Sequence, residues 1–247
     1  MHPILWETSY FTIHSYGFMI SLAILFSAFF LLREASKAGY NPDHILEAVI
    51  VLGISGLIGS RILYVLLNFG YYSANWVQIL NLRVGGLSFY GAIIFGLAAL
   101  IVWCRFRKLK ILELADFFSP YLMFGYAFGR IGCFLNGCCF GKISSLPFAL
   151  PAASTDNLLR HPVQLYAAVL ALIFFAVILY LKKYAFYDGY VFTLLLLFYG
   201  ILRFSTGFFR YDAVMIYGLS PAQIFSLILT LLAAAFLVYK RKKRAGV

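Results

Sequence analysis

Long apolar runs broken by short polar segments organise the chain from end to end. Seven runs stand out: Ile13–Leu32, Ile45–Leu67, Gly86–Trp103, Glu113–Asn136, Val163–Leu181, Tyr190–Phe209 and Leu219–Tyr239. Each is close to the roughly 20 residues that a helix needs to cross about 30 Å of hydrocarbon. The breaks between them carry Gly, Pro, Asn and charge, as loops do. Backbone N–H and C=O groups in lipid have no water to bond, so a spanning segment must satisfy them itself, and a helix does. The alternation of a lipid-facing barrel strand is absent. The pattern predicts an all-α integral membrane protein, a single polytopic domain over residues 1–247 with about seven transmembrane helices.

Composition agrees. Hydrophobic residues make up 63% of the 247 and charged residues 12%, with a mean hydropathy of +0.90. A soluble domain has roughly 45–50% apolar and about 25% charged residues. The net charge of +11 would suggest nucleic acid in a soluble protein. Here its position explains it, and no nucleic-acid partner is expected. Arg33, Lys37, Arg105, Arg107, Lys108, Lys110, Lys182, Lys183, Lys240, Arg241, Lys242, Lys243 and Arg244 put thirteen basic residues in one set of loops and the tail. The alternate loops hold four, Arg83, Lys142, Arg160 and Arg210. The richer side is expected to face the cytoplasm, with the N-terminus outside and the C-terminus inside. The basic tail then fixes topology and touches anionic membrane lipid. No cleavable signal peptide is expected, because Met1 to Phe11 lacks a basic region followed by a small-residue cleavage site.

Three basic residues remain inside spans: Arg61, Arg130 and Arg203. A charge at mid-bilayer costs at least about 2.5–3.5 kcal/mol, so it faces a polar cavity or a partner. All three lie in the second halves of spans that run from inside to outside, which puts them toward the outer leaflet. Arg210 follows Arg203 by seven residues, close to two helical turns, so both can face one side. Carboxylates are few: Glu47 and Asp116 sit at inner ends, Glu7, Asp156 and Asp212 outside, and only Asp212 is near Arg210 in sequence. Arginines in excess over carboxylates suit an anion held by bidentate bonds, and phosphate fits that geometry. A phospholipid headgroup is the anion at that depth. The alternative for each Arg is to snorkel to the interface or to staple helices through backbone carbonyls. His14, Tyr16, Tyr64, Tyr90 and Asn136 recur at the same level, where Tyr commonly anchors an aromatic belt. Tyr90 follows Gly85-Gly86-Leu87-Ser88-Phe89, a glycine-rich entry where backbone can approach a ligand.

Several of these pieces together resemble the prolipoprotein diacylglyceryl transferase family. The segment Gly129 to Gly141, GRIGCFLNGCCFG, is similar to the family signature. Tyr16-Gly17, the set Gly59, Arg61, Tyr64, Val65 and Leu66, and Gly85-Gly86-Leu87-Ser88-Phe89-Tyr90-Gly91 match family motifs in the first three spans. Ala115, Asp116 and Pro120 match the opening of the fourth, and Arg160-His161-Pro162-Val163-Gln164-Leu165-Tyr166 the approach to the fifth. Gly200, Arg203 and Arg210 match the sixth, and Leu219-Ser220-Pro221-Ala222-Gln223 the start of the seventh. The chain departs from many members at Tyr90, Cys138 and Gly207, where they carry His, Glu and Glu.

The resemblance implies transfer of a diacylglyceryl group from phosphatidylglycerol to the lipobox cysteine thiol in a prolipoprotein signal peptide, in the bacterial cytoplasmic membrane with the site toward the outer leaflet. Arg130 and Arg203 would stabilise the departing phosphate, with Arg210 or Arg61 in support. Tyr16 and Asn136 would orient the headgroup, and Tyr90 would relay a proton. No cofactor or metal is expected, since Cys104, Cys133, Cys138, Cys139 and the histidines give no zinc spacing. The pair Cys138-Cys139 is open to four readings: packing, a disulfide that draws in Cys133, a thiol relay, or replacement of the absent Glu. Two other functions compete: a transporter or lipid-binding module without chemistry, and a divergent paralogue with another acceptor.

Overall fold

A short hairpin opens the chain, β1 (Ile4–Glu7) pairing antiparallel with β2 (Thr12–His14) through a register shift between Ile4 and Trp6. Helices follow: α1 (Ser15–Ala35), α2 (Pro42–Leu67), α3 (Phe69–Ala74), α4 (Phe89–Arg107) and α5 (Ile111–Asn136). A two-residue ribbon, β3 (Leu150–Pro151) with β4 (Leu159–Arg160), precedes α6 (Val163–Leu181), α7 (Tyr190–Gly207) and α8 (Pro221–Ala245). The computed structural model describes residues 2–8, 12–81, 85–151, 158–211 and 214–245, so Arg83, Asp156 and Asp212 lie outside the described residues, as do Met1 and Phe11.

The chain is an all-α membrane protein. Six helices, α1, α2, α4, α6, α7 and α8, are long and apolar enough to cross a bilayer. Helix α5 equals α2 in length at 26 residues, but Glu113, Asp116 and Arg130 dilute its apolar sequence. Helix ends depart from the apolar runs for local reasons. Thr12–His14 pair in the hairpin, so α1 starts at Ser15. Gly85 and Gly86 hold φ near +80°, which L side chains rarely adopt, and Ser88 then caps α4 by accepting from the Gly91 N–H at 3.5 Å. Helix α8 continues into the basic tail, where Lys and Arg favour helix and suit its negative C-terminal end.

The chain forms two compact units, Leu31–Ile111 and Met1–Phe30 with Leu112–Val247. In the first, Asn41 caps α2 by accepting from the Asp43 N–H at 2.9 Å, and Pro42 fits the first turn. Helices α2 and α4 cross on two glycines. A Cβ at Gly59 would lie 2.8 Å from the Gly91 carbonyl oxygen, and one at Gly91 would strike the Gly59 carbonyl. Lipid gives helices no hydrophobic reason to associate, so close backbone packing does that work. Arg107 Nε donates to Glu47 Oε2 at 3.0 Å and ties the same two helices. Gly91→Leu is expected to destabilise this unit by about 3 kcal/mol, the upper end of overpacking, because the obstructing atoms include backbone. A thermal melt in detergent tests it, and an unchanged midpoint would mean the crossing opens without penalty.

In the second unit, the first part of α1 lies along small residues of α5. A Cβ at Gly132 would meet Met19 at 3.1 Å and Tyr16 at 3.2 Å, and Gly125 faces Ala23 and Ser27. Asp116 caps α7, its carboxylate accepting from the N–H groups of Gly189 at 2.7 Å and Phe192 at 2.8 Å. Ser220 and Gln223 form a reciprocal capping box at the start of α8: the Ser220 N–H donates to Gln223 Oε1 at 3.0 Å, and the Gln223 N–H to Ser220 Oγ at 3.3 Å. Helix α8 packs on α7 at Gly200, where an added Cβ would come within 2.9 Å of the Ser226 carbonyl oxygen. Met123, Ala127, Ala171, Ile178 and Leu202 belong to the core between α5, α6 and α7.

Candidate active site

The signature loop begins where α5 ends. Gly137 at φ 70° and Cys139 at φ 60° turn the chain back on itself, and the Cys138 N–H donates to the Cys133 carbonyl at 3.1 Å. The loop is then gripped on two sides. The Lys142 N–H donates to the Phe209 carbonyl at 2.9 Å and the Tyr211 N–H to that of Phe140 at 3.2 Å, so Gly141 pairs with Arg210. On the other side the His161 N–H donates to the Lys142 carbonyl at 3.0 Å, and Gln164 Nε2 to the Cys138 carbonyl at 2.8 Å. A Cβ at Gly141 would sit 2.7 Å from both His161 Cβ and Val163 Cγ2, so this crossing accepts only glycine. These bonds bring Arg210, beyond the end of α7, against the loop that follows Arg130.

Three guanidinium groups converge here. Arg130 lies over the Tyr126 ring, 4.7 Å from its centroid, and that ring meets Tyr199 edge-on at 5.6 Å. Arg203 feels the charges of Arg210 and Arg130 and the phenols of Tyr126 and Tyr199. Among the described residues no carboxylate lies within ion-pair distance of Arg130 or Arg203. The Tyr126 hydroxyl is buried, and Arg130 and Arg203 both act on it. Like charges held together in a low dielectric are unfavourable unless an anion joins them.

Tyr16 and Asn136 belong to the same neighbourhood. Tyr16 lies in the field of Arg130 and of Cys133, Cys138 and Cys139, and Asn136 interacts with Cys138. The four cysteines are free thiols, so the disulfide reading is not realised. The S–H groups of Cys133 and Cys138, and after them the charges of Arg210 and Arg130, push the Cys139 thiol below its ordinary range. The structure thus brings together Arg130, Arg203, Arg210, Tyr16 and Asn136.

Arg61 and Tyr90 lie in the Leu31–Ile111 unit. Arg61, expected to support the phosphate, is bonded to backbone carbonyls. Its Nε donates to the Ile79 carbonyl at 2.8 Å. Nη1 donates to Gly85 at 2.7 Å and Gly86 at 2.9 Å, and Nη2 to Gln78 at 2.6 Å and Asn81 at 3.0 Å. A guanidinium has five N–H donors, and all of them are taken by backbone. Tyr90 stands in the first turn of α4, 72% exposed, with its ring 6.1 Å from Phe89.

Sequence reasoning passed over Tyr126 and Tyr199. Each lies four residues before an arginine, Arg130 or Arg203, on the same helical face, and that spacing was the available signal. It counted Arg160 as a loop charge and as part of a family motif, without a place at the site. Arg160 is buried with its guanidinium 4.7 Å from the Phe140 ring centroid, and its Nη1 donates to the Gly141 carbonyl at 3.4 Å. The departure at Gly207 has a packing reason: a side chain there would run into Gln223, which caps α8.

Fold and site together define a multi-pass helical membrane protein with an arginine cluster beside its signature loop. The sequence model of the prolipoprotein diacylglyceryl transferase family matches residues 3–239. A phosphatidylglycerol–prolipoprotein diacylglyceryl transferase of Clostridium tetani is 34% identical over 216 residues, 86% of each chain. One of Clostridioides difficile is 32% identical over 228 residues, covering 92% of this chain and 91% of the relative. One of Streptococcus uberis is 29% identical over 250 residues, covering 98% and 96%. The chain belongs to the prolipoprotein diacylglyceryl transferase family, as the short motifs along its length implied.

Proposed function

We propose that this protein transfers the diacylglyceryl group of phosphatidylglycerol to the cysteine thiol of a prolipoprotein lipobox, with Arg130 and Arg203 as the phosphate clamp. The observation that carries this reading is the grouping of Arg130 and Arg203 beside Tyr126, with Arg210 acting on Arg203, and no carboxylate on Arg130 or Arg203 among the described residues. The sulfur attacks the glyceryl carbon that bears the phosphoester oxygen. A C–S bond forms, the C–O bond breaks, and its electron pair leaves on glycerol phosphate. The phosphate passes from a monoanionic diester toward a dianionic monoester, so guanidinium donors bind it more tightly as the bond breaks. That difference is what lowers a barrier. Tyr16 and Asn136 orient the glycerol headgroup from the end of the clamp.

The incoming thiol reacts as thiolate, and its ordinary pKa is near 8.5. The arginine field favours the thiolate, which lessens the demand for a strong base. Tyr90 is the candidate proton relay, and Arg210 supports the clamp. An apolar cavity of about 370 Å³, lined by Leu146, Phe148, His161, Tyr166, Leu170 and Phe209, suits an acyl chain or an apolar signal-peptide residue. The experiment is mass spectrometry of a lipobox peptide incubated with purified protein and phosphatidylglycerol. A gain of one diacylglyceryl group with release of glycerol phosphate is the expected result. An unmodified peptide with lipid still bound would favour a lipid-binding module without chemistry.

Orientation in the bacterial cytoplasmic membrane belongs to the same proposal. The basic asymmetry of thirteen against four supports a cytoplasmic C-terminal tail and an arginine cluster toward the outer leaflet. A reporter fused beyond Arg244 is expected to read cytoplasmic, and one inserted between Lys142 and Arg160 external. The reverse pattern would put the cluster on the wrong side for an exported acceptor.

A further inference from the structure

We propose that Cys133, Cys138 and Cys139 form a binding site for one thiophilic divalent cation of the zinc class, held by three sulfurs with a fourth position open. The site stands whether or not the protein is a transferase. The three Sγ atoms all lie within 4.8 Å of one another, and none is in a disulfide. Zinc–sulfur bonds of about 2.3 Å in a tetrahedron put sulfurs about 3.8 Å apart. The sulfurs thus lie within about 1 Å of tetrahedral spacing.

The spacing in sequence hides this site, because one cysteine stands well before an adjacent pair, unlike a zinc-finger pattern. The fold supplies what the spacing lacks. Cys133 sits in the last turn of α5, and the left-handed residues Gly137 and Cys139 reverse the chain so that the pair faces it. A non-glycine residue at φ 60° costs about 1 kcal/mol or more, and such strain persists where surrounding structure fixes it. Here Gln164 holds the Cys138 carbonyl, and the bonds of Phe140 and Lys142 to Tyr211 and Phe209 hold the rest. Three donors fixed by an independent framework are preorganised, as a metal site requires.

Charge points the same way. Three thiolates alone would place three negative charges in a half-buried site. With one divalent cation the complex carries a single negative charge, and Arg210 and Arg130 lie close enough to act on Cys139. Binding releases the three thiol protons to solvent, which balances the exchange. An all-sulfur donor set rejects magnesium and calcium, which take oxygen ligands.

The test uses the full chain in detergent under a phosphine reductant, titrated with cobalt(II) as a coloured stand-in for zinc. One equivalent is expected to raise an intense sulfur-to-cobalt charge-transfer band that zinc then bleaches. Cys138→Ser should weaken binding about ten-fold or more, and Cys104→Ser should leave it unchanged. Cys139→Gly is the second variant, because glycine accepts the left-handed backbone and so preserves the fold; it too should lose the band. A band that survives Cys139→Gly overturns the site. So does the absence of any band in reduced protein whose three thiols all titrate with a thiol reagent. A disulfide among these cysteines in protein purified without reductant, with no cobalt uptake after reduction, also overturns it.

Discussion

Arg130→Lys is expected to lower diacylglyceryl transfer by about 100-fold or more, the scale on which removing one preorganised donor to a developing anion acts, while the protein still inserts and purifies. Lysine keeps the positive charge and would serve equally as a topological anchor or a snorkelling cation. It lacks the planar fork that grips two phosphate oxygens, and its ammonium would not stack on Tyr126 in the same way. Since the phosphate gains charge as the C–O bond breaks, the loss should appear in kcat and not only in KM. Arg203→Lys should behave alike if both arginines hold one phosphate, and the double substitution should then cost less than the two single losses combined. Mass spectrometry of the lipobox peptide over time gives the rates. Near-normal turnover in Arg130→Lys would reduce its role to charge or packing and remove the signature arginine from the clamp.

What the sequence disclosed and what it withheld follow from range. Helices in lipid are dictated locally, by about twenty apolar residues in a row, so the runs and the observed helices differ by only a few residues at most ends. The charges of Arg130 and Arg203 were equally legible, because an ionised group within an apolar run signals itself. The β1–β2 hairpin and the gripping of residues 140–143 between Phe209–Tyr211 and His161 were not, since such pairings depend on contacts that no local pattern announces. For the same reason the cysteines looked dispersed: no pattern of spacing conveys that a helix end reverses and brings Cys133 back to Cys138 and Cys139. Caps lie between these cases. The Ser220–Gln223 box was visible as a motif at the start of the seventh run, but its reciprocal bonds required the structure.

The sharpest divergence is Arg61, and it carries the second large effect. Arg61→Lys is expected to loosen residues 78–81 and 85–86 and to destabilise the Leu31–Ile111 unit by about 3 kcal/mol, given roughly 1.5–3 kcal/mol for each hydrogen bond to a charged group. Arginine meets the carbonyls of Gln78, Ile79, Asn81, Gly85 and Gly86 with its five N–H groups. Lysine has three donors on one atom and leaves at least two of those carbonyls open. The two glycines depend on the same guanidinium: a Cβ at Gly86 would come within 2.8 Å of Arg61 Nη1, so this backbone is built around the side chain. Hydrogen exchange separates this staple from a phosphate contact. If Arg61 is the staple, amides of residues 76–81 should exchange at least about ten-fold faster in Arg61→Lys, with a lower thermal midpoint, whether or not phosphatidylglycerol is present. If it grips the headgroup instead, those amides should keep their protection and only lipid affinity should fall. The second outcome would return Arg61 to the clamp and show that its bonds to the five carbonyls add little to the stability of the unit.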